Sequence, residues 1–294
     1  LFRRHDRGYS SDTSSDSHEK SSPHPAEFLR NIAIIIVVSV IMYEMLTLAL
    51  FEDKFALLVF TDLSINVAAA AALSLSLLIV YKQKLGGLHG KTYAAFALGL
   101  VMWFAAELIQ TYYEIGTEEE VPFPSVADAL WLLGYGPFGY HLFVTHRFFN
   151  RSAKPHTFVL VVATTAGIFG SMVPITVLNS SLVEDDPVTL FVNVAYPALD
   201  AALIVPAIMM FSILRKGKLG AAPWVLLSAS ILIIAVADSA FGYISATSPD
   251  SEIWGFSIFY FAGYLCMTGA LYCHNRFFIF SMSRALKIWQ RQNR

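Results

Sequence analysis

Long apolar runs with almost no charge inside them constrain this chain more than any other feature. The stretch NIAIIIVVSVIMYEMLTLAL, residues 31–50, contains a single acid and no base. A helix needs roughly 20 mostly apolar residues to cross the hydrocarbon of a bilayer. Runs of that length recur along the chain at about 30–50, 57–81, 92–113, 125–146, 156–178, 188–213, 222–245 and 254–275. The second is interrupted near its start by Asp62 and Asn66, which leaves seven spans as the alternative count. Hydrophobic residues make up 56% of the 294 and charged residues 14%, with a mean hydropathy of +0.57. A water-soluble domain typically carries about 25% charged residues. The composition therefore predicts an all-α integral membrane protein of about eight transmembrane helices over 27–277. Short alternating segments, the mark of an outer-membrane barrel, are absent from the sequence.

The ends read differently. Residues 1–26 are rich in Ser, His and Asp and poor in large apolar side chains, which predicts a disordered polar tail. His5, His18 and His24 are irregularly spaced there and read as solvated rather than as metal ligands. Residues 278–294 read as a basic amphipathic tail. The two cysteines, Cys266 and Cys273, lie on the last run, about 10 Å apart along a helix, and cannot bridge each other.

Basic residues predict the orientation. With eight spans, nineteen of the 20 Lys and Arg fall on one face: the amino-terminal tail, the 2–3, 4–5 and 6–7 loops, and the carboxyl end. Lys54 alone lies opposite. The positive-inside rule makes that face cytoplasmic, so both termini are expected inside the cytoplasmic membrane. The other face is acidic, with Glu118, Glu119 and Glu120 in the 3–4 loop and Glu184, Asp185 and Asp186 in the 5–6 loop. Acids contribute little to insertion. This second asymmetry reads either as loop solubility or as a lure for cations.

Six carboxylates fall within or at the edges of the runs: Glu44, Asp62, Glu107, Asp128, Asp200 and Asp238. The expected topology puts Asp200 near mid-depth and the others in the outer third. No Lys or Arg lies deep in a run to pair with them. A bare carboxylate in hydrocarbon is expensive. These acids therefore carry protons, line a wet cavity or hold a cation.

Aromatic and polar neighbours stand at helical spacing from the acids: Trp103 four before Glu107, Tyr196 four before Asp200, and Trp131 three after Asp128. The plainer reading is an interfacial aromatic belt with interhelical hydrogen bonds. The functional reading is an outward-facing pocket formed by Glu44, Trp103, Glu107, Asp128, Trp131, Tyr196, Asp200 and Asp238. Asp128 has an equally good local explanation. In Pro124-Ser125-Val126-Ala127-Asp128, the serine is placed as an N-cap and the aspartate as its capping-box partner.

Two hairpins look alike. WFAAELIQTYYE, an acidic loop and GYGPFGYHLFVTHRFF parallel IAVADSAFGYI, an acidic loop and GYLCMTGALYCHNRFF. Glu107 then matches Asp238, and Gly134-Tyr135 matches Gly263-Tyr264. Repeated two-helix hairpins are a plausible plan.

The segments PFPSVADALWLLGY (122–135), AYPALDAALI (195–204) and AVADSAFGYI (235–244) resemble the multi-helix membrane sensor regions that precede diguanylate-cyclase and histidine-kinase domains in bacteria and archaea. The likeness covers roughly residues 90–278 and implies signal sensing, with a cytoplasmic effector as partner at the carboxyl tail. Residues for cyclase or kinase activity are absent from this sequence, so neither activity is carried over.

Three functions are weighed. A sensor binding a small ligand or cation on the outer face fits best. A proton- or cation-coupled transporter or channel is the alternative, since acids and repeated hairpins suit transport. An intramembrane enzyme fits least. His141, His146, His156 and His274 are expected at the cytoplasmic depth while most acids lie in the outer half, and no HExxH, Gly-x-Ser-x-Gly or phosphate-binding loop occurs. No catalytic or metal residue is assigned, no cofactor is implied, and nothing points to nucleic acid. The bilayer itself is the one partner the composition demands.

Overall fold

The computed structural model describes residues 25–117, 121–149, 158–167, 170, 187–214, 222–247 and 256–280. The tail over 1–24, residues 156–157, 168–169 and 171–178 of the fifth run, and the chain beyond 280 lie outside them. The helices are α1 (Pro25–Leu50), α2 (Lys54–Gln83), α3 (Gly87–Thr111), α4 (Val126–Phe149), α5 (Phe158–Gly167), α6 (Pro187–Leu214), α7 (Ala222–Thr247) and α8 (Ser257–His274). A π-helical turn, Tyr112–Thr117, extends α3, and another, Asn275–Phe280, extends α8. No strand occurs among the described residues.

Five of these helices are long and apolar enough to cross a membrane: α1, α2, α3 with its π turn, α6 and α7. In α4, His141, His146 and Arg147 dilute the apolar character, and the α8 helix has 18 residues broken by tyrosines and His274. The outer surfaces of the long helices are greasy. On α1, Ile35, Met42 and Leu48 are each more than half exposed, while Ile32 and Tyr43 are buried. Such a surface suits lipid rather than water. In hydrocarbon every backbone N–H and C=O must find a partner inside the chain, and the helix is the local solution.

Six helices form a closed ring, each packed on the next in the order α2, α3, α4, α6, α7, α8 and back to α2. One core runs through all six, from Ala69 and Ile79 on α2 to Met267 and Leu271 on α8. Small residues set the closest approaches. A Cβ on Gly134 of α4 would lie 2.5 Å from the Trp103 ring of α3, and one on Gly263 of α8 would lie 2.5 Å from Ile234 of α7. The ring closes where Asn275 donates its side-chain amide to the Leu75 carbonyl of α2 and Thr268 donates to the Ala68 carbonyl. Helix α1 lies outside the ring against α8 and α2. Its Tyr43 stacks on Phe261 at 4.4 Å and tilts against Phe60.

Candidate functional site

The start of α4 follows the local prediction. Ser125 Oγ accepts the Asp128 N–H at 3.4 Å, and Asp128 Oδ2 accepts the Ser125 N–H at 2.7 Å, which is a reciprocal capping box. The cap leaves the second carboxylate oxygen free to reach another helix. Tyr196 of α6 donates its hydroxyl to Asp128 Oδ1 at 2.9 Å. Asp128 therefore starts its own helix and ties it to α6.

About two turns further along α4, Tyr135 is buried where α4, α6 and α7 meet. Its hydroxyl lies 2.6 Å from Asp200 Oδ1 of α6 and 3.2 Å from Asp238 Oδ2 of α7. Tyr260 of α8 donates to the other Asp238 oxygen at 2.7 Å. Asp200 is 2% exposed, and its Oδ2 has no hydrogen-bond partner among the described residues. Pro197, three residues before Asp200, lacks an N–H and leaves the Asn193 carbonyl without its helical donor.

A further pair sits on the α3 side. Tyr264 of α8 donates to Glu107 Oε1 at 2.8 Å, and the Trp131 side chain also hydrogen-bonds Glu107. Trp103 donates its indole N–H to the Trp131 carbonyl at 3.0 Å and packs its ring against Tyr135, Phe138 and Tyr264. Trp103 therefore backs Tyr135 and Tyr264 with its ring, while its N–H goes to the Trp131 carbonyl.

Of the residues expected at a pocket, Glu107, Asp128, Trp131, Tyr196, Asp200 and Asp238 come together with Trp103 behind them. Glu44 does not join them. It sits on α1, outside the ring, with Thr47 of its own helix 3.5 Å from its carboxyl. Shared depth alone pointed to it, and depth does not fix which face a helix turns inward. Asp62 belongs to a neighbouring group, hydrogen-bonded with Glu114 beside Thr111, where Asn66 donates to Thr111 Oγ1 at 2.7 Å.

The residues that sequence reasoning missed are the tyrosines Tyr135, Tyr260 and Tyr264. A signal existed for two of them, since Gly134-Tyr135 and Gly263-Tyr264 occupy matching places in the two hairpins. Each tyrosine serves an acid on another helix, so spacing along one helix could not reveal the pairing. Among the described residues, no group of three or more His, Cys, Asp or Glu side chains could hold a metal ion.

At the other end of the ring a second polar group is buried. His141 is fully enclosed, with Nδ1 3.0 Å from the Thr92 carbonyl, and His141 and His274 flank the Tyr93 ring at 4.9 and 4.4 Å.

The fold and site together define an all-α protein of membrane type, with a buried carboxyl–tyrosine centre linking five helices. Comparison with family models, curated proteins and solved structures returns no match.

Proposed function

We propose that this chain is a multi-pass sensor module of the cytoplasmic membrane, with about eight spans and both termini inside. Its outward-facing acidic and aromatic centre takes a small cation or cationic ligand. Occupancy there shifts how α4, α6, α7 and α8 pack, and the shift reaches a cytoplasmic effector through the carboxyl end. The observation that carries this reading is Tyr135, whose hydroxyl lies between Asp200 of α6 and Asp238 of α7. A ligand that takes over either carboxyl must change three helices at once, since Asp238 is also held by α8 through Tyr260. The partition of Lys and Arg supports the orientation. The repeated-hairpin plan is supported by the matched contacts of Gly134 with Trp103 and Gly263 with Ile234. The likeness to membrane sensor regions supports signalling rather than catalysis.

The test is thermal unfolding of the purified protein in nanodiscs with sodium, potassium, calcium, choline or spermidine added. A ligand of the folded state stabilises it by about 2.7 kcal/mol at 100 times its Kd. A cation that raises the midpoint of wild type and not of Asp238→Asn supports the reading, and a flat response to all five sinks it.

Coupled transport is the second reading. It is favoured by buried polar side chains toward the opposite end, among them Thr145, Ser228, Ser230, His141 and His274. Proton or cation flux in liposomes, abolished by Asp200→Asn, would select transport over sensing.

A further inference from the structure

The Tyr135 hydroxyl has one hydrogen and two lone pairs. Its oxygen lies within hydrogen-bond reach of a carboxyl oxygen on each side, Asp200 Oδ1 at 2.6 Å and Asp238 Oδ2 at 3.2 Å. Two ionised carboxylates would compete for that single hydrogen, and one of them would face a bare phenolic lone pair. The arrangement is satisfied when one carboxyl brings a hydrogen of its own.

The surroundings say which one. Asp238 has a second donor, since Tyr260 gives its hydroxyl to Oδ1 at 2.7 Å. Asp200 has Tyr135 alone, is 2% exposed, and leaves Oδ2 without a partner among the described residues. An ionised carboxylate with one oxygen unsolvated in hydrocarbon is far costlier than a neutral acid with an unpartnered carbonyl.

We propose that Asp200 and Asp238 share one proton through Tyr135, making this centre a proton-binding site. In the resting arrangement the Asp200 carboxyl O–H donates to Tyr135 Oη, the Tyr135 O–H donates to Asp238 Oδ2, and Tyr260 donates to Asp238 Oδ1. The pair then carries one negative charge, held on Asp238 between two tyrosine donors. Losing the proton leaves two negative charges bridged by one hydroxyl and drives α6 from α7. Gaining a second proton removes the charge that holds Tyr135 and Tyr260 in place.

The groups that face the pair are Tyr135 from α4, Tyr196 from α6, and Tyr260 and Tyr264 from α8, with Glu107 of α3 and Asp128 of α4 beyond them. The inference rests on the reading above only for the site's role; the proton belongs to the resting centre, whether or not a further cation binds beside it.

Infrared spectroscopy of the full chain in nanodiscs tests it. The expected result is a protonated-carboxyl C=O band at neutral pH that shifts in deuterium oxide and is lost in Asp200→Asn. In Asp238→Asn the same band persists but titrates at least about one pH unit lower, because the like charge across Tyr135 is gone. In Tyr135→Phe, close in volume and without the bridge, the band moves in frequency. Two results overturn the proposal: a carboxyl spectrum unchanged in Asp200→Asn, or a band whose titration is indifferent to both Asp238→Asn and Tyr135→Phe. Bleaching of the band by sodium at fixed pH would make the occupant a metal cation and also overturn it. A proton found here with no ligand response in the unfolding assay leaves this inference standing and removes the sensor reading alone.

Discussion

Tyr264 on α8 donates its hydroxyl to Glu107 on α3, 157 positions earlier, at 2.8 Å. The hairpin of α7 and α8 thus supplies a tyrosine to an acid of the α3–α4 hairpin. The reverse also holds, because Tyr135 of α4 reaches Asp238 of α7. Neither hairpin satisfies its own acid with its own matched tyrosine.

This exchange predicts strong coupling between Tyr264 and Glu107. Tyr264→Phe removes a donor from a half-buried carboxyl and is expected to destabilise the protein by about 1–3 kcal/mol. Glu107→Gln should cost less in the Tyr264→Phe background than in wild type, giving an interaction energy of at least about 0.5 kcal/mol. Denaturant unfolding of the four proteins of the cycle measures it, and additive losses would show the contact to be idle.

Close helix approach predicts a contrast between glycines of one helix. Gly134→Ala drives a methyl into the Trp103 ring, while a Cβ on Gly136 meets nothing within 4 Å. The first change should lower stability by about 1–3 kcal/mol. The second should be neutral or stabilise by about 0.4–1 kcal/mol, since it restricts the unfolded chain. Matched thermal melts in micelles compare them, and equal midpoints would refute the tight α3–α4 contact.

The double duty of Asp128 can be separated. Ser125→Ala removes the cap and should cost about 1 kcal/mol, with faster amide exchange over the first turn of α4. Tyr196→Phe removes the tie to α6 and should leave that turn protected. Exchange that rises equally in both variants would mean that the cap depends on the tie.

Orientation is open to labelling, because the two cysteines are buried and should be inert in the folded protein. A Glu119→Cys variant should react with an impermeant maleimide in intact cells, and Lys216→Cys only after lysis. Reaction of Lys216→Cys in intact cells would invert the proposed topology.

What could be read from the sequence follows the reach of each interaction. The Ser125–Asp128 cap spans three residues and is written locally, so it was legible together with its helix start. The long helices were legible because an apolar run in hydrocarbon has one local solution. The matched Gly134-Tyr135 and Gly263-Tyr264 pairs were visible, yet their partners were not, since spacing on one helix says nothing about the neighbour it faces. Glu44 shows the cost of arguing from depth alone. Its expected level matches that of Glu107, but its helix lies outside the ring. The fifth run, expected over about 156–178, is described as a helix only at Phe158–Gly167.

The ring closes between α2 and α8, and that fixes an order of events during synthesis. Helices emerge in sequence, so Glu107 and Asp238 enter the bilayer before Tyr264 and Tyr260 exist to meet them. Until α8 arrives, Glu107 lacks its hydroxyl donor and Asp238 has Tyr135 but not Tyr260. A nascent chain stalled before α8 therefore leaves Glu107 and Asp238 each one hydroxyl short along an open seam, and only the arrival of that helix completes both.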